Sequence, residues 1–181
     1  MQYTLPLAEE ISIASGHVDT SPILWFQNLT SGVAILNDFS AYAQNSDLTV
    51  MIKSNMTVES RSEETAVTTL APIDTNQSPL ASGFLAGYWD GTGAMAGISG
   101  LHGGTLISAS KANGDLRAKG HMHQGIRINP GDNIGIFVRD FDGQYSKVLM
   151  TLELTIDTAS AIIPTVALGS DSGSEPAPLP E

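Results

Sequence analysis

The stretch "YSKVLMTLELTID", Tyr145 to Asp157, alternates with few breaks. Val148, Met150, Leu152, Leu154 and Ile156 fall on one side. Lys147, Thr151, Glu153, Thr155 and Asp157 fall on the other, and Leu149 is the exception. A period of two belongs to a strand whose successive side chains point to opposite faces. An apolar set on one side and a polar set on the other describe a strand with one face on a core and one in water. Runs with apolar residues at i, i+3, i+4 and i+7, the mark of an amphipathic helix, are nearly absent from the chain. Its fold is therefore expected to be built from sheets.

Just upstream, "NIGIFVRD" sets Ile134, Ile136 and Val138 on one face, and Asp142-Gly143 between the two runs signals a hairpin, because tight turns need positive φ. Asn113-Gly114 is a second such signal. Further strands are expected at about 22–29, 32–43, 47–53, 80–89, 104–111, 115–122 and 125–129. Short strands punctuated at regular intervals read as an all-β fold, a single β-sandwich or jelly roll of about eight antiparallel strands with extended terminal arms. Charged residues are 15% of the chain, against about 25% in an average soluble domain. The wet faces must then be made of Ser, Thr, Asn and Gly.

The 181 residues suit one domain with a real core. Residues 1–20 are expected as an N-terminal arm or edge strand, 21–158 as the sandwich, and 159–181 as an acidic arm rich in Pro, Ser and Gly. Residues 57–78, rich in Thr, Ser and Glu, read as a long excursion with a strand near 65–70. Residues 90–104, "DGTGAMAGISGLHGG", read as a glycine-rich loop, and long loops inside a domain are usually binding or packing elements.

Charge and composition narrow the function. Eight basic and 19 acidic residues give a net charge of -11, a poor match to nucleic acid, whose binding rests on Lys and Arg. No cysteine is present, which removes disulfides, thiolate catalysis and Cys-based zinc sites. No stretch approaches the ~18 apolar residues of a membrane helix, and the first fifteen residues lack the basic start and apolar run of a signal peptide. The expectation is a chain with no membrane or nucleic-acid partner and no secretion signal. The sequons at Asn28 and Asn55 then carry no meaning.

The stretch most suggestive of chemistry is "KGHMHQGIRINPGDN", Lys119 to Asn133. His121 and His123 stand one residue apart. On a strand, imidazoles at i and i+2 share a face and can reach one metal. Cupins use such a pair on a jelly roll, with a glycine before it, a glutamate after it and a third histidine further on. Here Gly114 is off by one, Arg127 stands where the glutamate might, and no histidine follows His123; His17 and His102 are the remaining two. Strand parity points the same way. Leu116, Ala118, Met122, Ile126 and Ile128 make an apolar face, so His121 and His123 share the polar face with Arg117, Lys119 and Arg127. Cationic neighbours disfavour a divalent metal. No cofactor and no catalytic residue is expected. The alternative readings are a cupin-like metal protein or enzyme using His121 and His123, a metal held between symmetric subunits, or a carbohydrate-binding module with Tyr88 and Trp89 as its stacking residues. With Arg139, the basic residues also form a stripe, read as a solvated face or as a dock for an acidic partner.

Both faces of "PILWFQNL" are apolar. Leu24 and Phe26 lie on one side and Ile23, Trp25 and Leu29 on the other. The strand is either central and covered on both faces, or one face meets another subunit. Ile23, Trp25, Leu29, Tyr88 and Trp89 are the interface candidates. Other motifs fail on inspection. "GTGAMAG" lacks the Lys-Ser/Thr of a phosphate loop, "GISGL" misplaces the second glycine of a nucleophile elbow, and "RDFDG" lacks the later ligands of a calcium loop. Glu9-Glu10 and Glu63-Glu64 are adjacent, so on strands they point to opposite faces and make no glycosidase pair.

The pattern "SPILWFQNLTSGVAIL", a Thr/Ser-rich excursion, then "INPGDNIGIFVRDFDGQYSKVLMTLELT" resembles the small β-sandwich structural proteins of tailed bacteriophages, among them capsid decoration (cement) proteins and fibre modules. The resemblance spans about residues 20–157. It lies in general character, since such proteins are all-β, Cys-free and acidic, with a Pro-Gly-Asp turn before the last long strands. It implies a non-enzymatic virion protein and a homo-oligomer, often a trimer, docked on a capsid or other virion protein. It transfers no individual site residue.

Overall fold

A computed structural model describes residues 1–7, 10–13, 22–44, 48–57, 64–89, 103–112, 118–119, 125–140 and 146–163. Among them there is no helix. The strands are β1 (Gln2–Pro6), β2 (Ile11–Ile13), β3 (Leu24–Asn28), β4 (Ala34–Gln44), β5 (Leu48–Ser54), β6 (Glu64–Ala66), β7 (Ala71–Pro72), β8 (Phe84–Trp89), β9 (Thr105–Ala112), β10 (Ala118–Lys119), β11 (Ile126–Ile128), β12 (Asn133–Asp140) and β13 (Ser146–Thr155).

They form two antiparallel sheets. The first has seven strands in the order β10-β4-β13-β1-β7, with β11 also on β4 and β2 also on β13; the second has six in the order β6-β8-β3-β12-β5-β9. The pairings nest. β1 pairs with β13, β3 with β12, β4 with β10 and β11, and β5 with β9. First joins last and second joins second-last, which is a long hairpin rolled into two sheets: a jelly roll. With β10 and β11 taken as one interrupted strand, its frame has the eight strands expected. Of the remaining four, β2 pairs with β13, and β6, β7 and β8 come from the segment between β5 and β9. These last three extend the second sheet beyond β3 and the first beyond β1.

The alternation in β13 has the predicted sense. Val148, Met150, Leu152, Leu154 and Ile156 are all buried, while Lys147 and Glu153 are exposed. In β4 the rule breaks midway. Ala34 and Leu36 point inward on even numbers, Phe39, Ala41 and Ala43 on odd ones. The register shift where Glu153 pairs Asp38 and Leu154 pairs Leu36 is the cause. A bulge inserts one residue and so flips the parity of everything beyond it.

Of the segment 1–20, expected as an arm or edge strand, the described residues 1–7 and 10–13 contribute strands to the first sheet. β1 lies between β13 and β7, and β2 follows it in tandem along the same side of β13. Tyr3, Leu5, Leu7, Ile11 and Ile13 join the core. The last strand pair is not a hairpin. β12 and β13 lie in opposite sheets, as do β9 and β10. Asp142-Gly143 and Asn113-Gly114 themselves lie outside the described residues, but the strands they separate do not pair. "INPGDN" also connects the two sheets. The Asp132 amide donates to the Asn129 carbonyl at 3.0 Å, and Gly131 has φ 83°. Pro130 followed by a glycine at positive φ fits a type II turn.

Between the sheets the core is continuous. Phe26 and Phe84 stack with ring centroids 6.2 Å apart, and Phe39, Ile136 and Leu152 pack in the same cluster. Burying each such side chain contributes about 1.5–3 kcal/mol relative to leaving it in water.

Candidate functional site

His121 and His123 lie outside the described residues, as do His17 and His102. Their flanks are informative. Ala118 pairs with the inward-facing Ala41, and Ile126 with the inward-facing Leu36. Ile126 packs against the core and Ile128 lies in it, so even numbers face inward at that end, as the alternation predicts. The two pairings do not share one register, however: Lys119 faces Ser40 while Ile126 faces Leu36. Parity therefore does not carry through from either flank to positions 121 and 123. The basic stripe is divided as well. Arg127 sits at the edge of the first sheet and Arg139 on the second. Among the described residues, no group of three or more His, Cys, Asp or Glu side chains converges as a metal site would require.

The five interface candidates are all placed. Ile23 and Trp89 belong to the main core, Leu29 is buried, and Tyr88 is half-buried against the core. Trp25 is 8% exposed, on the outer side of the second sheet. Their own chain covers all but Tyr88, so the strand from Leu24 to Asn28 is central and covered on both faces. Its outer cover is a second, small cluster of Trp25, Met51, Met56 and Phe137. Gly135 makes the room for it. A Cβ there would stand 2.7 Å from the Met56 sulfur and 2.9 Å from the Pro22 Cβ. Lys53 lies over the Phe137 ring, its Nζ 4.3 Å from the centroid, a cation–π contact. Trp25 Nε1 is buried with no acceptor among the described residues.

Sequence reasoning missed the buried polar clasps. Asn28 is fully buried; its side-chain nitrogen donates to the Gly32 and Ile128 carbonyls at 2.8 and 3.0 Å, and its oxygen accepts from the Thr30 amide and hydroxyl. That ties β3 to the chain entering β4 and to β11, and it leaves the Asn28 sequon inaccessible. Asn133 clasps Met56 in the same way, accepting from its amide at 2.8 Å and donating to its carbonyl at 3.0 Å. The signal available was only an asparagine at each end of an apolar run.

The outer face of the first sheet holds a depression of ≈ 370 Å³ lined by Glu10, Ser40, Tyr42, Leu149 and Thr151. Leu149, the exception in the alternation, is 42% exposed here. Lys147 Nζ approaches Glu10 at 3.6 Å, with both side chains about half exposed; such a surface pair contributes little. The groups offer hydroxyls, one ion pair and one apolar side chain. At the end of β13, Asp157 accepts from the Ser160 hydroxyl at 2.7 Å and from the Ala159 amide at 3.0 Å. These bonds hold its carboxyl below the ordinary value, the Ser160 bond most.

The second sheet ends in β9, whose Leu106 and Ile107 are 54% and 41% exposed. They are the most exposed apolar neighbours on any described strand. Fold and surfaces together define a jelly-roll β-sandwich protein. Comparison with protein-family models, curated proteins and solved structures finds no match to the chain.

Proposed function

We propose that this chain is a non-enzymatic structural protein of a tailed-bacteriophage virion, of the capsid-decoration type, acting as a homo-oligomer docked on a larger protein shell. The observation that carries the reading is what fills the jelly roll. The space between its sheets, where a cupin-type centre would sit, is taken up by Phe26, Phe39, Phe84, Ile136 and Leu152. A sandwich packed in this way offers surfaces and edges to partners, and a scaffold role uses those. The resemblance of the sequence pattern to phage virion proteins suggests the partner class and implies a homo-oligomer, often a trimer.

Immuno-electron microscopy tests it. An antibody against the chain, applied to phage particles purified from the source culture, is expected to label regular positions on the particle surface. Label confined to the soluble fraction, with bare particles, contradicts the reading.

A further inference from the structure

A sheet edge presents unpaired backbone N–H and C=O groups, and proteins blunt such edges with very short strands, charges, proline or bulges. Three of the four edges here are blunted. β7 has two residues, one of them Pro72. On the far side of the first sheet, β10 and β11 have two and three residues and carry Lys119 and Arg127. β6 has three residues and begins with Glu64.

β9 is different. It has eight residues, TLISASKA. Among the described residues it pairs with β5 alone, and residues 105–110 make no other backbone hydrogen bond. That stretch holds no charge and no proline. Its side chains are the exposed Leu106 and Ile107, an exposed Ala109, and small hydroxyls. The one blunting device is a bulge: Ile52 pairs with Ser108 and Lys53 with Leu106, so Ile107 is the extra residue. It interrupts the ladder once and pushes an apolar side chain into water.

We propose that β9 is an assembly edge, at which two copies of this chain pair β9 to β9, antiparallel about a two-fold axis, and join their six-stranded sheets into one. This rests on reading the chain as a self-assembling structural protein, and it specifies the contact. A second copy fits as the occupant on electrostatic and geometric grounds. At a net charge of -11 two copies repel over most of their surfaces, so they meet where acid is missing, and β9 has none. A two-fold presents the same strand to itself, so each copy satisfies the other's open donors and acceptors. An axis near the middle of residues 105–110 brings Leu106 and Ile107 of both copies together. It also sends the two Lys111 side chains to opposite ends, so that like charges do not face each other.

The test is the mass of the full chain in solution by light scattering after size exclusion, for the native protein and for Leu106→Lys with Ile107→Lys. The native chain is expected at twice its own mass and the double variant at one chain mass, with the far-ultraviolet circular dichroism unchanged. Should the lysines disturb folding, Leu106→Thr with Ile107→Thr keeps strand preference and is expected to raise the dimer dissociation constant at least tenfold. Leu149→Lys, on the outer face of the first sheet, is expected to leave the dimer intact. A native monomer at every concentration overturns the proposal, as does a dimer indifferent to the β9 variants. A trimer in all variants overturns the β9 pairing while leaving the self-assembling reading in place.

Discussion

β12 and β9 are eight-residue strands of one sheet, separated only by β5. β12 is flanked by β3 and β5 and is buried throughout except at Arg139. β9 has one neighbour and leaves Leu106, Ile107 and Ala109 in water. The apolar run "NIGIF" suits a position covered on both faces, with the main core on one side and the Phe137 cluster on the other. The mixed run "TLISAS" suits a half-covered one and is still too apolar for a solvated edge. Stability should therefore reside in β12, and association in β9.

Ile136→Ala probes the β12 half of that contrast most severely. Ile136 is fully buried in the main core, and its truncation is expected to cost about 2–5 kcal/mol in denaturant unfolding. A loss below about 1 kcal/mol would mean that this strand is less tightly held than its burial implies. Gly135→Ala should cost less, about 1–3 kcal/mol, because the new methyl displaces Met56 and Pro22. The Met56 end is flexible, which sets the effect toward the low side of that range. On β9, Leu106→Lys is expected to change the stability of the single chain by no more than about 0.5 kcal/mol, as for ordinary surface positions. If it destabilises as strongly as Gly135→Ala, the contrast between the two strands fails.

The smallest effect concerns pH and lies away from both strands. Asp157 is depressed by the Ser160 and Ala159 bonds. A carboxylate lowered on folding adds stability above its unfolded pKa, and that stability disappears as pH falls through the folded value. Ser160→Ala should move the Asp157 titration, followed by NMR, up toward the ordinary carboxylate value. An unmoved titration would show that the turn hydrogen bond does not hold in solution.

Much of the fold was legible because alternation is a local signal. The inward set of β13 is written plainly from Val148 to Ile156, and the bounds of β12 match the apolar run. Pairing was not legible. No described strand pairs with its neighbour in sequence, so the turn signals at Asp142-Gly143 and Asn113-Gly114, which lie outside the described residues, do not name strand partners. Residues 1–20 read in sequence as an arm or an edge strand. Yet Tyr3, Leu5, Leu7, Ile11 and Ile13 already carry the period of two. The bulge in β4 hides the parity change at Asn37-Asp38. For Trp25 and its neighbours, two apolar faces leave both core and interface open, and only the position of β3 in the sheet decides between them. The exposure of β9 is likewise a property of strand order, invisible in "TLISAS" itself. His121 and His123 lie outside the described residues, so the pair most suggestive of chemistry adds nothing to the site.

Hydrogen exchange read by mass spectrometry at low and high protein concentration tests the β9 edge most directly. Protection across residues 105–110 should rise with concentration, while the segments holding β6 and β7 exchange at the same rate throughout. Exchange at 105–110 that is independent of concentration would contradict the assignment of β9 as the edge through which this chain associates.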